Sequence, residues 1–123
     1  MPCDTQGDQQ EFSNILCEAD ALMAANDCPQ RIIFGGDFNT DFGRLNSDHS
    51  RTLSEFCNNR SLRSCSQLDF IEYNVPYTYE NDFLSTRSTI DHFFVSEVAA
   101  NSVTKCEIWE RGDNPSDHLP LAL

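Results

Sequence analysis

The run Arg31-Ile32-Ile33-Phe34-Gly35-Gly36-Asp37-Phe38-Asn39 sets the fold. Its first four residues, β-branched and aromatic after one cation, have the composition of a short buried strand. Two glycines end that strand and allow a sharp exit, so that Asp37 and Asn39 leave it in a fixed direction. On the N-terminal side, Phe12, Ile15, Leu16, Ala19, Leu22 and Met23 recur at three- and four-residue steps, which predicts an amphipathic helix over residues 11–26. Asp8, with Glu11 three residues on, can cap its start, and Pro29 stops it. On the C-terminal side, a polar loop over residues 37–47 leads to a second helix over about 49–59, burying Leu53, Phe56 and Cys57. Residues 75–80 read as a strand despite Pro76, and residues 89–96, TIDHFFVS, as another whose nearly continuous apolar character predicts burial on both faces. Residues 103–110 are a further candidate, and one more strand begins after His118 as the sequence stops. Strands alternating with helices, with no repeat, low-complexity stretch or linker, predict one α/β unit over residues 1–123.

Composition narrows the function. Twenty Asp and Glu against eight Lys and Arg give a formal charge of −12, which argues against a basic nucleic-acid-binding module. No apolar run approaches the roughly 18 residues needed to span a bilayer. The start, MPCDTQGDQQ, has neither a basic nor an apolar region, which predicts no secretory signal and an intracellular protein. Cys3, Cys17, Cys28, Cys57, Cys65 and Cys106 form no C-x-x-C pair and no zinc spacing, and read as reduced thiols, mostly buried.

Three polar clusters fall at or beside strand ends, where α/β folds gather their ligand sites. In Gly36-Asp37-Phe38-Asn39 a carboxylate that can take a proton from water stands near an amide that can donate to a phosphate oxygen. The same residues equally suit a solvated turn. As a calcium loop the stretch fails: Phe42 stands where glycine is needed, Asp48 where glutamate is, and a strand precedes it. Asp91 lies inside an apolar strand, where an unpaired carboxylate is costly, and so requires a partner. In Ser116-Asp117-His118, neighbours on an extended segment point to opposite sides. His118 therefore needs a different carboxylate, for which Asp91 is the candidate, leaving Asp117 for a cation. Taken alone, that triplet fits an ordinary surface loop better. His92 reads as a satisfied core or rim histidine, and His49, at a polar helix start, as solvated.

The order of these clusters is more specific than any one of them. G-D-F-N after a strand, Tyr77-Thr78-Tyr79, S-T-I-D-H ending at His92 and S-D-H-L-P ending at Pro120 together resemble the endonuclease/exonuclease/phosphatase superfamily. The nearest likeness is to the apurinic-type endonuclease domains of non-LTR retrotransposons, and Met1-Pro2-Cys3-Asp4 resembles the segment before that family's mid-domain helix. The resemblance implies metal-assisted phosphodiester hydrolysis. Asp37 would orient or deprotonate the attacking water, and Asn39 would hold the scissile phosphate. Asp91 would pair with His118, which would stabilise charge on the phosphoryl oxygens, and Asp117 would contribute to a Mg²⁺ (or Mn²⁺) site.

The family's complete fold is a four-layer α/β/β/α sandwich about twice this length. Its first half supplies an Asn, the main metal-binding Glu and a catalytic Tyr or His, none of which can be placed here. The resemblance therefore implies the C-terminal part of that sandwich, a partial domain that would need its N-terminal half and be inactive alone. It also implies DNA or another phosphodiester as substrate, a fused reverse transcriptase in the parent protein, no membrane, and a nuclear location if the retroelement reading holds. A phosphatase or phospholipase-type member of the superfamily and a non-catalytic remnant are the alternative readings.

Overall fold

The computed structural model describes residues 8–25, 31–44, 46–68, 75–109, 112–113 and 115–123. Pro29, Cys3, Cys28 and the Met1-Pro2-Cys3-Asp4 segment lie outside them. The elements are α1 (Gln9–Ala24), β1 (Ile33–Asp37), α2 (Asp48–Asn59), β2 (Leu62–Ser64), β3 (Tyr79–Asn81), β4 (Thr86–Ser88), β5 (Asp91–Ser96), α3 (Glu97–Ala100), β6 (Glu107–Ile108) and β7 (Leu121–Ala122). Helices and antiparallel sheets mix along the chain, which makes it an α/β fold. β5 is the central strand of a three-stranded sheet, with β1 and β2 antiparallel to it on either side. β3 pairs with β4 as a hairpin, and β6 with β7.

Side chains alternate across β5. Phe94 points to the face covered by α1 and α2, where it joins Phe12, Leu16, Phe38, Leu53, Cys57 and Leu62 in the main core. Val95 points the other way, into a smaller cluster with Cys65, Leu68, Ala99, Ala100 and Cys106. α2 starts cleanly because the Ser47 side chain accepts from the Ser50 amide at 3.0 Å. At α1, Asp8 occupies the cap position and its carbonyl takes the Phe12 amide at 2.9 Å, but its side chain makes no cap bond.

Several sequence expectations change. β1 does not end at its glycines but runs through them to Asp37, because Phe93 of β5 lies across Gly35. A Cβ on Gly35 would stand 2.2 Å from the Phe93 ring, so the close approach admits only glycine there. The strand expected over 75–80 is shorter and later, at Tyr79–Asn81, with Pro76 outside it. The one expected over 103–110 shrinks to Glu107–Ile108, with residue 110 outside the described residues. β5 is not buried equally on both faces: His92 and Phe94 are buried, whereas Asp91 and Phe93 are only partly covered. Leu22 is 69% exposed, since it lies about 80° around the helix from Phe12, at the rim of the apolar stripe.

His49 is the clearest correction. It is fully buried and stacks on Phe12, ring centroids 4.1 Å apart and nearly parallel. The Ser47 cap fixes the first turn of α2 so that this residue faces α1 rather than water. Cys57, Cys65 and Cys106 are buried free thiols and Cys17 is an exposed one. Burial pushes the Cys57 thiol up to about 12, which leaves it unreactive.

Candidate active site

β1 ends where β5 begins, and their register sets Asp37 directly opposite Asp91. The Phe38 amide bonds the Ile90 carbonyl at 2.8 Å and the Ser96 amide the Ile32 carbonyl at 3.0 Å. Backbone bonds therefore fall on the even-numbered residues of β1, and the Asp37–Asp91 pair is of the kind that brings side chains closest. Two like charges directly opposed on one sheet face destabilise it. The structure offsets this with an imidazole: His118 Nδ1 lies 3.0 Å from Asp91 Oδ2. Gly36, Asp37, Asp91, Ser116 and His118 line a cleft of about 360 Å³ together with His92, Phe93 and Leu119 to Leu121.

Thr78 holds this arrangement together. It is fully buried, and its Oγ1 accepts the amides of both Ile90 and Asp91 at 3.0 Å. Its own amide donates to the Ser88 carbonyl at 3.0 Å, and its carbonyl accepts the Leu119 amide at 2.7 Å. The next residues continue the contact: the Glu80 amide donates to the Asp117 carbonyl at 2.9 Å, and the Tyr79 ring meets the His118 ring edge-on at 5.2 Å. The base of the β3–β4 hairpin is thus the joint between the Asp91 strand and the His118 segment. No local pattern in the sequence marks Thr78 for this role, which exists only once its neighbours in space are known. Replacing Thr78 with valine leaves two amides without their acceptor, each costing about 1–3 kcal/mol. Thr78→Val should lower unfolding stability by about 2–6 kcal/mol in urea titrations, and Thr78→Ser, which keeps the hydroxyl, should lose far less.

Asp37, Asp91 and His118 meet at the cleft, while Asn39 and Asp117 stand outside its wall. The Asn39 amide donates to Asp37 Oδ1 at 2.8 Å, and Asn39 itself adopts a left-handed backbone with φ of 48°. This tight turn folds the chain back against the carboxylate it follows. Asp117 is exposed. His92 faces the opposite side of β5 from Asp91, 5% exposed, with Nε2 2.9 Å from the Thr40 carbonyl. Burial holds its pKa below the usual histidine range, and the Thr40 carbonyl and the Asp41 and Asp91 charges oppose this only in part. Among the described residues, no group of three or more His, Cys, Asp or Glu side chains is placed to hold a metal ion. Carboxylate and amide oxygens, the donor types near the cleft, are those that suit a hard cation.

Among the described residues, no helix is long and apolar enough to cross a membrane. No curated protein matches the sequence. The endonuclease-reverse transcriptase family model matches residues 3–122. A match over nearly the whole length, with two aspartates and a histidine meeting at its strand ends, makes the chain a member of the endonuclease-reverse transcriptase family, within the endonuclease/exonuclease/phosphatase superfamily and of nuclease type.

Proposed function

We propose that the chain serves Mg²⁺-dependent hydrolysis of phosphodiester bonds in DNA, as the endonuclease of a retroelement whose polypeptide also carries a reverse transcriptase. The observation that carries this reading is the His118–Asp91 contact at 3.0 Å beside the opposed Asp37. Asp37 orients the attacking water and takes its proton. Asn39 donates to an oxygen of the scissile phosphate. Asp91 fixes the tautomer of His118, and the His118 edge facing the cleft stabilises charge developing on the phosphoryl oxygens. Asp117, with waters and phosphate oxygens, would hold Mg²⁺, which when bound neutralises phosphate charge and polarises the P–O bonds.

The test is plasmid nicking by the chain joined to the N-terminal half that the resemblance implies, since the partial domain is expected to be inactive alone. Conversion of supercoiled to open-circular DNA with Mg²⁺, abolished by EDTA and restored by added Mg²⁺, is the expected result; no nicking at any Mg²⁺ or Mn²⁺ concentration overturns the proposal. The net charge of −12 favours a second reading, a phosphatase-type enzyme acting on a small phosphorylated compound. Duplex binding that weakens steeply with salt would decide for the nuclease.

A further inference from the structure

The buried imidazole of His92 has no part in the chemistry proposed above. It follows Asp91 directly and so projects from the opposite face of β5. Its ring sits among Phe38, Phe42 and Phe94, with centroids 5.9, 6.1 and 5.6 Å away. Every one of those neighbours is a phenylalanine, so packing alone would be served by another apolar ring. A polar ring at 5% exposure carries a desolvation cost and persists only where it makes a hydrogen bond.

The partner of that bond is informative. His92 Nε2 donates not to its own strand but to the carbonyl of Thr40, itself 3% exposed, at 2.9 Å. Thr40 belongs to the irregular turn that leaves β1. That turn contains Asn39 in its left-handed conformation, with the Asn39 amide bonded to Asp37 Oδ1. The ring therefore ties the turn after Asp37 to the strand that begins with Asp91. Without it the Thr40 carbonyl would lose its imidazole donor in a buried position, and the turn would be free to shift relative to β5.

We infer that His92 is a positioning residue, whose Nε2–H tether to the Thr40 carbonyl holds the turn carrying Asn39 in register with the Asp91–His118 pair. The structural part of this inference stands on the geometry; its consequence for turnover rests on the phosphodiesterase reading. Displacement of a reacting group by about 1 Å can cost about 10²-fold in rate even when the altered residue is remote from the chemistry.

Two variants of the full chain separate positioning from packing. His92→Phe keeps a ring among the three phenylalanines and removes the donor, whereas His92→Gln restores a donor of similar reach. Amide hydrogen exchange followed by NMR is the readout that needs no activity. In His92→Phe the Asn39 amide should exchange at least ~10-fold faster relative to the β5 amides. Plasmid nicking by His92→Phe should fall ~10²-fold in kcat with KM within a few-fold. His92→Gln should recover most of both losses.

A nitrogen–proton correlation spectrum of the wild-type chain adds a measurement that requires no variant to fold: His92 must carry its proton on Nε2 at neutral pH. An unprotonated Nε2, an Asn39 amide as well protected in His92→Phe as in wild type, or a His92→Gln no better than His92→Phe would each overturn the tether. If the wild-type chain joined to its N-terminal half fails to nick DNA, the phosphodiesterase reading fails while the exchange experiment still judges the tether.

Discussion

In the complete domain, Asp37→Ala and His118→Ala should each reduce Mg²⁺-dependent nicking by about 10²–10⁴-fold while shifting the unfolding temperature by only a few degrees. Both side chains lie at a cleft rather than in the core, so little packing is lost with either. Glu18→Ala, exposed on α1, is the control that should change nothing. His49→Ala would be a poor control, because His49 is buried against Phe12 and its removal opens the core. Asp91 adds a sharper criterion. On the proposed reading Asp91 serves the reaction through the His118 imidazole it contacts, so removing either should forfeit most of what the pair supplies. The double variant Asp91→Ala, His118→Ala should therefore be little worse than the more damaged single one. A double loss equal to the product of the two single losses would mean that these residues act independently. Equal losses in Glu18→Ala would mean that the assay reports folding.

The second large effect concerns stability. Phe94→Ala should destabilise the fold by about 3–5 kcal/mol, measured as the shift in denaturant midpoint at constant slope. Phe94 is fully buried and meets the rings of Phe34, Phe38 and Phe42 as well as His92. A whole domain is stable by only about 5–15 kcal/mol, so this one truncation removes a large share. Phe83→Ala, at a residue 95% exposed on the β3–β4 turn, should leave the midpoint unmoved. A Phe94→Ala midpoint within about 1 kcal/mol of wild type would mean that the aromatic cluster repacks freely around the gap.

Residues with a strong local pattern were legible in the sequence. The three- and four-residue spacing from Phe12 to Met23 gave α1 to within two residues at each end, and TIDHFFVS gave β5. Those signals live in consecutive residues. What stayed hidden depends on partners distant in sequence. Gly35 and Gly36 read as a strand terminus, yet the strand continues because Phe93, fifty-eight positions after Gly35, packs over it. His49 read as solvated because polar neighbours surround it in sequence, while its neighbour in space is Phe12. In the candidate site, the residue types were visible but their grouping was not. That Asp91 should seek a partner followed from its apolar strand; that Asp37 would face it depends on antiparallel register. Thr78 was visible only as part of the Tyr77-Thr78-Tyr79 motif and its role was not, since a hydroxyl that accepts two amides twelve and thirteen residues away resembles any other threonine until the chain is folded.

The alternation along β5 has a consequence for how this sequence can change length. Asp91 and His92 are consecutive, and they serve opposite faces of one sheet: a carboxylate for the cleft, an imidazole for the interior. Inserting or deleting one residue within β5 exchanges the two faces over the rest of the strand, turning Phe94 out of the main core toward the side of the Val95 cluster. A change of two residues keeps the parity and shifts only the alignment with β1 and β2. Length variants of β5 should therefore sort by odd and even number, with odd ones failing to fold and even ones folding with Asp91 displaced from Asp37 and His118. The strand works as a parity code, in which the number of residues specifies the chemistry as firmly as their identity does.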